Sequence, residues 1–88
     1  MPILRMQAVK AETGHRSQAS IYTAIRAGLF TTGVAIGQRS KGWPSEEVLA
    51  INAARIAGKS DSDIKALVNR LHAKRETNWS DYQPESNS

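Results

Sequence analysis

Between Thr13 and Gly28 the chain reads TGHRSQASIYTAIRAG, and this stretch limits the fold more than any other. Gly14 stops one short helix, and Arg16, Ser17 and Gln18 are polar turn residues. Ser17 is placed to cap the next helix by accepting a hydrogen bond from one of its free amides. Ile21 and Ile25, four apart, share one face of that helix, while Ser20, Thr23 and Arg26 look outward. The pattern is that of the turn and second helix of a helix-turn-helix. An exposed face of hydroxyls and a guanidinium, rather than Glu-Lys pairs, suits a nucleic-acid surface. An ordinary capped surface helix fits the same residues, so the flanking segments must decide.

Upstream, Met6, Ala8 and Val9 fit a two-turn helix from Met6 to Thr13, closed by Gly14. Two turns do not hold themselves, because nucleation costs more than so few hydrogen bonds return. Packing on Ile21 and Ile25 is therefore expected, with Ile3 and Leu4 as an extended lead-in. Downstream, Gly28 ends the second helix in a left-handed conformation. Leu29 and Phe30 form an apolar anchor, and Thr31, Thr32 and Gly33 a polar bend. Val34, Ala35 and Ile36 alternate with the period of a strand. Gly37 to Ser40 then turn, and Lys41, Gly42 and Trp43 return as the partner strand. A two-stranded hairpin is marginal alone, so Val34, Ile36 and Trp43 are expected to lie on the helices. Its tip projects Gln38, Arg39, Ser40 and Lys41, either as a DNA-binding wing or as a hairpin charged for solubility.

Pro44 ends the strand, Ser45 is expected to cap a third helix, and Glu46 and Glu47 in its first turn complement the dipole. Val48, Leu49, Ile51 and Ile56 give that helix a broad apolar face, and Gly58 stops it. Ser60 with Asp63 resembles a weakened capping box. Ile64, Leu67, Val68 and Leu71, three and four apart, define an amphipathic helix of about four turns. Its stripe either covers the fold's own core or serves self-association. From Glu76 the chain (ETNWSDYQPESNS) has no apolar period and is expected to be a disordered acidic tail, with Trp79 and Tyr82 as docking residues. The expected fold is mainly α with a small β-hairpin. A winged helix-turn-helix over residues 1–57 is followed by a C-terminal helix over 58–75 and the tail over 76–88.

Eighty-eight residues make one small domain. The absence of cysteine excludes disulfides and thiolate metal sites. His15 and His72 lack ligand-like neighbours, so neither a metal nor another cofactor is expected. No apolar run approaches the roughly 20 residues of a membrane span, and the start at Met1–Arg5 lacks a signal-peptide pattern. A cytoplasmic protein is expected. The net charge of +4 hides an asymmetry. Residues 1–44 carry six cations (Arg5, Lys10, Arg16, Arg26, Arg39, Lys41) against Glu12 alone, whereas residues 76–88 carry three anions and no cation. That concentration is the footprint of a phosphate-binding face, unless it is only a basic solvated surface. Paired catalytic carboxylates, a Ser/His/Asp set and a phosphate-binding glycine loop are all missing, so an enzyme is not expected.

The run from Ile3-Leu4-Arg5-Met6 to Thr13-Gly14 is followed by Ser20-Ile21-Tyr22 and Arg26-Ala27-Gly28-Leu29-Phe30. Val34 to Arg39 and Gly42-Trp43 with Glu46-Glu47-Val48 complete an ordered series over residues 3–57 that resembles the AlpA family. These are small phage and genomic-island regulators related to MerR-type winged helix-turn-helix domains and to excisionases. The resemblance implies a bacterial, nucleoid-associated protein that binds double-stranded DNA, with the second helix in the major groove and the wing on flanking backbone. It also implies either transcriptional regulation or a role as a recombination directionality factor beside an integrase. This chain departs from the family in a turn one residue longer between Gly14 and Tyr22. Thr23 stands where a basic residue is common, and Thr31 and Gly33 where prolines are.

Phosphate contacts position a protein on DNA, and base-edge contacts specify sequence. Arg16, Ser17, Ser20, Arg39 and Lys41 are the phosphate candidates, with Gln38 beside them on the wing. Gln18, Thr23 and Arg26 are the base-edge candidates, since Gln pairs with adenine, Thr meets a thymine methyl and Arg grips guanine. Tyr22 either buttresses the helix or reaches a phosphate. One helix and one wing are a small footprint, so binding as a dimer or a row of protomers on adjacent sites is expected. Ile64, Leu67, Val68 and Leu71 are the candidates for that contact. The alternative is a protein-binding module of antitoxin or anti-repressor type that uses the C-terminal helix.

Overall fold

The computed structural model describes residues 2–81. Its elements run β1 (Ile3–Arg5), α1 (Met6–Thr13), α2 (Gln18–Arg26), β2 (Val34–Ala35), β3 (Lys41–Pro44), α3 (Ser45–Ile56) and α4 (Asp61–Asp81). The fold is mainly helical with a small antiparallel sheet of order β1-β3-β2, a winged helix-turn-helix arrangement. Gly14 closes α1 at φ 79°, and its N–H donates to the Lys10 carbonyl at 2.9 Å. Gly28 follows α2, also at φ 79°. Asn52 Nδ2 of α3 donates to the Glu12 carbonyl at 2.8 Å, tying the end of α1 down.

Val9, Ile21, Phe30, Trp43, Val48, Ile51, Ile64 and Val68 form the core. Trp43 is fully buried and tilted against Phe30, with ring centroids 6.3 Å apart. Its indole Nε1 donates to the Thr31 carbonyl at 2.8 Å, so the largest core side chain also satisfies a buried backbone acceptor.

The hairpin gains a third strand. Ile3–Arg5, expected as a lead-in, pairs with β3 in the register Ile3↔Pro44, Leu4↔Trp43 and Arg5↔Gly42. On the other side Val34 pairs with Gly42 and Ala35 with Lys41. The central strand is thus held from both edges, which a marginal two-stranded ribbon is not. A Cβ at Gly42 would collide with Ile3. The register also corrects the expectation that Val34 and Ile36 pack on the helices. Leu4 and Trp43 turn inward as partners, so Gly42 and its partner Val34 belong to the opposite face of the pleat. Val34 is 37% exposed and Ile36 is 36% exposed.

Three further corrections and one open alternative concern α3 and α4. Ser45 is the first helical residue rather than the cap, and its N–H donates to the Pro2 carbonyl at 2.9 Å, because β3 runs into α3 without a loop. Leu49 and Ile56, expected on the buried face, are exposed. They lie seven apart on one line of the helix, turned away from Ile51 and to one side of Val48. Residues 76–81, expected as disordered tail, continue α4. No glycine or proline interrupts the chain there, and adding a residue to a formed helix costs little. Trp79 stands exposed on that extension, and Tyr82–Ser88 lie outside the described residues. Finally, Ile64 and Val68 are buried in the core, while Leu67 and Leu71 pack partly buried against it. Of the two readings of the α4 stripe, core cover therefore holds for Ile64 and Val68, while Leu67 and Leu71 keep part of their surface outside the core. Ser60 caps α4 as expected, accepting from the Asp63 amide at 3.1 Å.

Replacing Trp43 with Phe removes the donor to Thr31 and leaves a cavity. Chemical denaturation of Trp43→Phe is expected to show a loss of about 1–3 kcal/mol from the unpaired carbonyl alone. An unchanged midpoint would remove Trp43 from its central place.

Candidate nucleic-acid interface

The turn Gly14–Ser17 is built by its own side chains. Ser17 Oγ accepts from the Ser20 amide at 3.1 Å and starts α2. His15 Nδ1 lies 2.6 Å from Ser20 Oγ, and the His15 amide donates to Thr13 Oγ1 at 3.4 Å. The hydroxyl of Ser20, a phosphate candidate, is therefore engaged within the turn. Ile21 anchors α2 beneath, fully buried. Thr23, Arg26, Arg16, Ser17 and Gln18 all stay exposed. Thr23 Oγ1 donates back to the Ala19 carbonyl at 2.9 Å and accepts from Arg26 Nη2 at 3.4 Å. This lays the Arg26 guanidinium along the outer face of the helix.

On the wing, the Ile36 N–H donates to the Ser40 carbonyl at 3.0 Å and closes the tip over Gly37, Gln38 and Arg39. Gln38, Arg39 and Lys41 are exposed. Between this tip and α2 lies a shallow concavity of about 290 Å³, lined by Gln18, Tyr22, Arg39, Ser40 and Lys41 together with Arg5, Met6 and Gln7. Five of the eleven expected DNA-binding residues meet there. Arg16, Ser17, Ser20, Thr23, Arg26 and Gln38 do not line it. Tyr22, half-buried, forms part of the wall.

Arg5 and Gln7 were not among the expected site residues. Their signal lies in the pairing of Arg5 with Gly42, which carries the end of β1 beside the wing. The concavity holds three cations and no carboxylate. Glu12, the acidic residue of the first 44, lines a different hollow with Leu29, Phe30 and Ile51. At the far end of α2, the Lys65 stem of α4 lies alongside Gly28; a Cβ there would sit 3.6 Å from Lys65 Cγ. Among the described residues no group of three or more acidic or histidine side chains is arranged to hold a metal ion. No described helix is long and apolar enough to cross a membrane.

The observed cap at Ser17 is separable from its expected phosphate contact. Ser17→Ala removes the cap and is expected to lower stability by about 1 kcal/mol. Ser17→Asp keeps a capping oxygen but sets a negative charge at the start of α2. Thermal melts of Ser17→Asp should match the wild type while its affinity for DNA falls. Equal affinity would exclude a phosphate near this helix start.

None of the curated proteins and none of the solved structures compared with this chain matches it. The family model of the prophage CP4-57 regulatory protein (AlpA) does, over residues 2–50, more than half of the chain. That span holds all three strands, both helices of the helix-turn-helix, and the first half of α3. By sequence pattern and by the elements that the pattern covers, the chain belongs to the AlpA family of prophage regulatory proteins.

Proposed function

We propose that this protein binds double-stranded DNA in a sequence-dependent way, with α2 in the major groove and the Gln38–Lys41 tip on the flanking backbone. The acid-free concavity carries the reading. It places Arg5, Arg39 and Lys41 around the exposed side of a short helix bearing Gln18. Nine residues at about 1.5 Å rise make α2 roughly as long as the major groove is wide, about 12 Å. Arg39, Lys41, Arg5, Arg16 and the Ser17 hydroxyl serve phosphates. Gln18, Thr23 and Arg26 face base edges.

The family is one of phage regulators, and such a DNA-binding face serves transcriptional control or excision directionality equally well. The positions of the sites separate the two. Footprinting on the mobile element that carries the gene would show repeated sites inside an attachment region for a directionality factor, and promoter sites for a transcription regulator. A protein-binding module built on α4 is disfavoured, because Ile64 and Val68 of its apolar stripe are buried in the core.

Neutralising about five phosphates gives a log-log salt slope near −4 to −5. Arg39→Ala is expected to weaken all sequences alike and reduce the slope by about one. Arg26→Ala should instead relax preference at one base pair, by about 1–3 kcal/mol. Fluorescence anisotropy across a salt series and a panel of single-base variants measures both. A flat salt response would sink the DNA-binding reading.

A further inference from the structure

The family match ends at residue 50, and α4 begins at Asp61, yet α4 reaches the root of the wing. Arg75 Nη2 donates to the Thr32 carbonyl at 2.8 Å, and Nη1 to Thr32 Oγ1 at 3.3 Å. The Thr32 amide donates to His72 Nε2 at 3.1 Å. One residue earlier, the Thr31 carbonyl is held by Trp43. Thr31 and Thr32, the first two of the three residues between the Phe30 anchor and β2, are thus fastened at both carbonyls and at one amide.

β2 needs such an anchor. It has two residues, both exposed, and pairs at only Val34↔Gly42 and Ala35↔Lys41. A ladder that short does not fix its own position. The Arg75 guanidinium is in turn aimed by Glu47, a 4% exposed carboxylate that it grips through Nε at 2.7 Å and Nη2 at 2.6 Å. A bidentate fork has little angular freedom.

We propose that Arg75 and His72 are positioning residues for the wing. They hold Thr32, and through β2 they set where Arg39 and Lys41 stand relative to α2. The inference rests on the DNA-binding reading for its consequence, though not for its mechanics. Arg75 needs no contact with DNA in this role. It acts along the path Glu47, Arg75, Thr32, β2 and the tip.

The test uses the full chain in two variants. Glu47→Leu/Arg75→Leu replaces the ion pair with apolar side chains and deletes the Thr32 tether. Arg75→Lys keeps a cation opposite Glu47 but loses the fork, so it serves where the double variant does not fold. Each is combined with Arg39→Ala/Lys41→Ala in a thermodynamic cycle against the tightest-binding duplex. Wing positioning predicts that deleting Arg39 and Lys41 weakens the wild type tenfold or more, but the tether variant less than threefold. Equal losses in both backgrounds overturn it. A DNA-free readout separates this inference from the reading beneath it. In a tether variant the Ile36 amide should exchange with solvent at least tenfold faster, while α2 amides and the melting temperature hold. Unchanged Ile36 protection overturns the positioning role, whether or not DNA binds. A wild type that ignores DNA, with Ile36 exchange still accelerated in the variant, overturns only the DNA-binding reading.

Discussion

The Glu47 carboxylate is the constraint on which the rest of the structure turns. A charge taken almost wholly out of water must be paired and hydrogen-bonded, and Arg75 supplies both partners at once. Removing one member of such a pair costs about 3–5 kcal/mol, the lower end applying here because the Arg75 side chain is 27% exposed. The Arg55–Asp61 pair, 3.9 Å apart with both side chains mostly in solvent, is a weak contact by comparison. Glu47 therefore decides where the second half of α4 lies. Ile64 and Val68 bury its first two turns in the core, and Leu67 and Leu71 pack partly buried against it. Beyond them, the ion pair and the bonds to Thr32 carry the helix across α3 to the wing root.

What could be read from the sequence divides along the range of the interactions. Gly14, Ser17, Gly28 and Ser60 announce helix ends because a cap is satisfied within three or four residues, and all four act as expected. The strand faces needed a partner before they had a direction. Val34 and Ile36 alternate as a strand should, but alternation leaves the inward face undecided. The pairing of Leu4 with Trp43 settles it, and no local signal links residues so far apart. Glu47 shows the same limit. Its place in a first helical turn explained it adequately as a dipole partner, so its burial against Arg75 left no trace in the sequence.

The recognition face divides in the same way. Residue types alone singled out Gln18, Arg39 and Lys41, which the fold brings to one concavity, since exposed amides and cations near a turn suit phosphates and base edges. They did not identify Arg5 and Gln7, whose membership depends on β1 being a strand. Nor did they separate free hydroxyls from engaged ones. Ser20 is committed to His15 and Thr23 to the Ala19 carbonyl, which leaves the amides and guanidinium groups as the freer donors of α2. A hydroxyl on a short helix has a local backbone or turn partner at hand, whereas Arg26 and Arg39 reach past it.

This division bears on where the folding unit ends. α2 buries only Ile21 completely, and α1 only Val9. Two short helices that each keep one face polar contribute too little apolar surface to stand alone. The remaining core comes from Phe30, Trp43 and Val48 within the family-matched stretch, and from Ile51, Ile64 and Val68 beyond it. The matched stretch holds the helix-turn-helix and the wing, while the segment after it closes the core beneath. That segment also delivers Arg75 and His72 to Thr32. Stability and wing geometry are thus supplied by the same helix, so a change in how α4 seats reaches the tip that carries Arg39 without passing through α2.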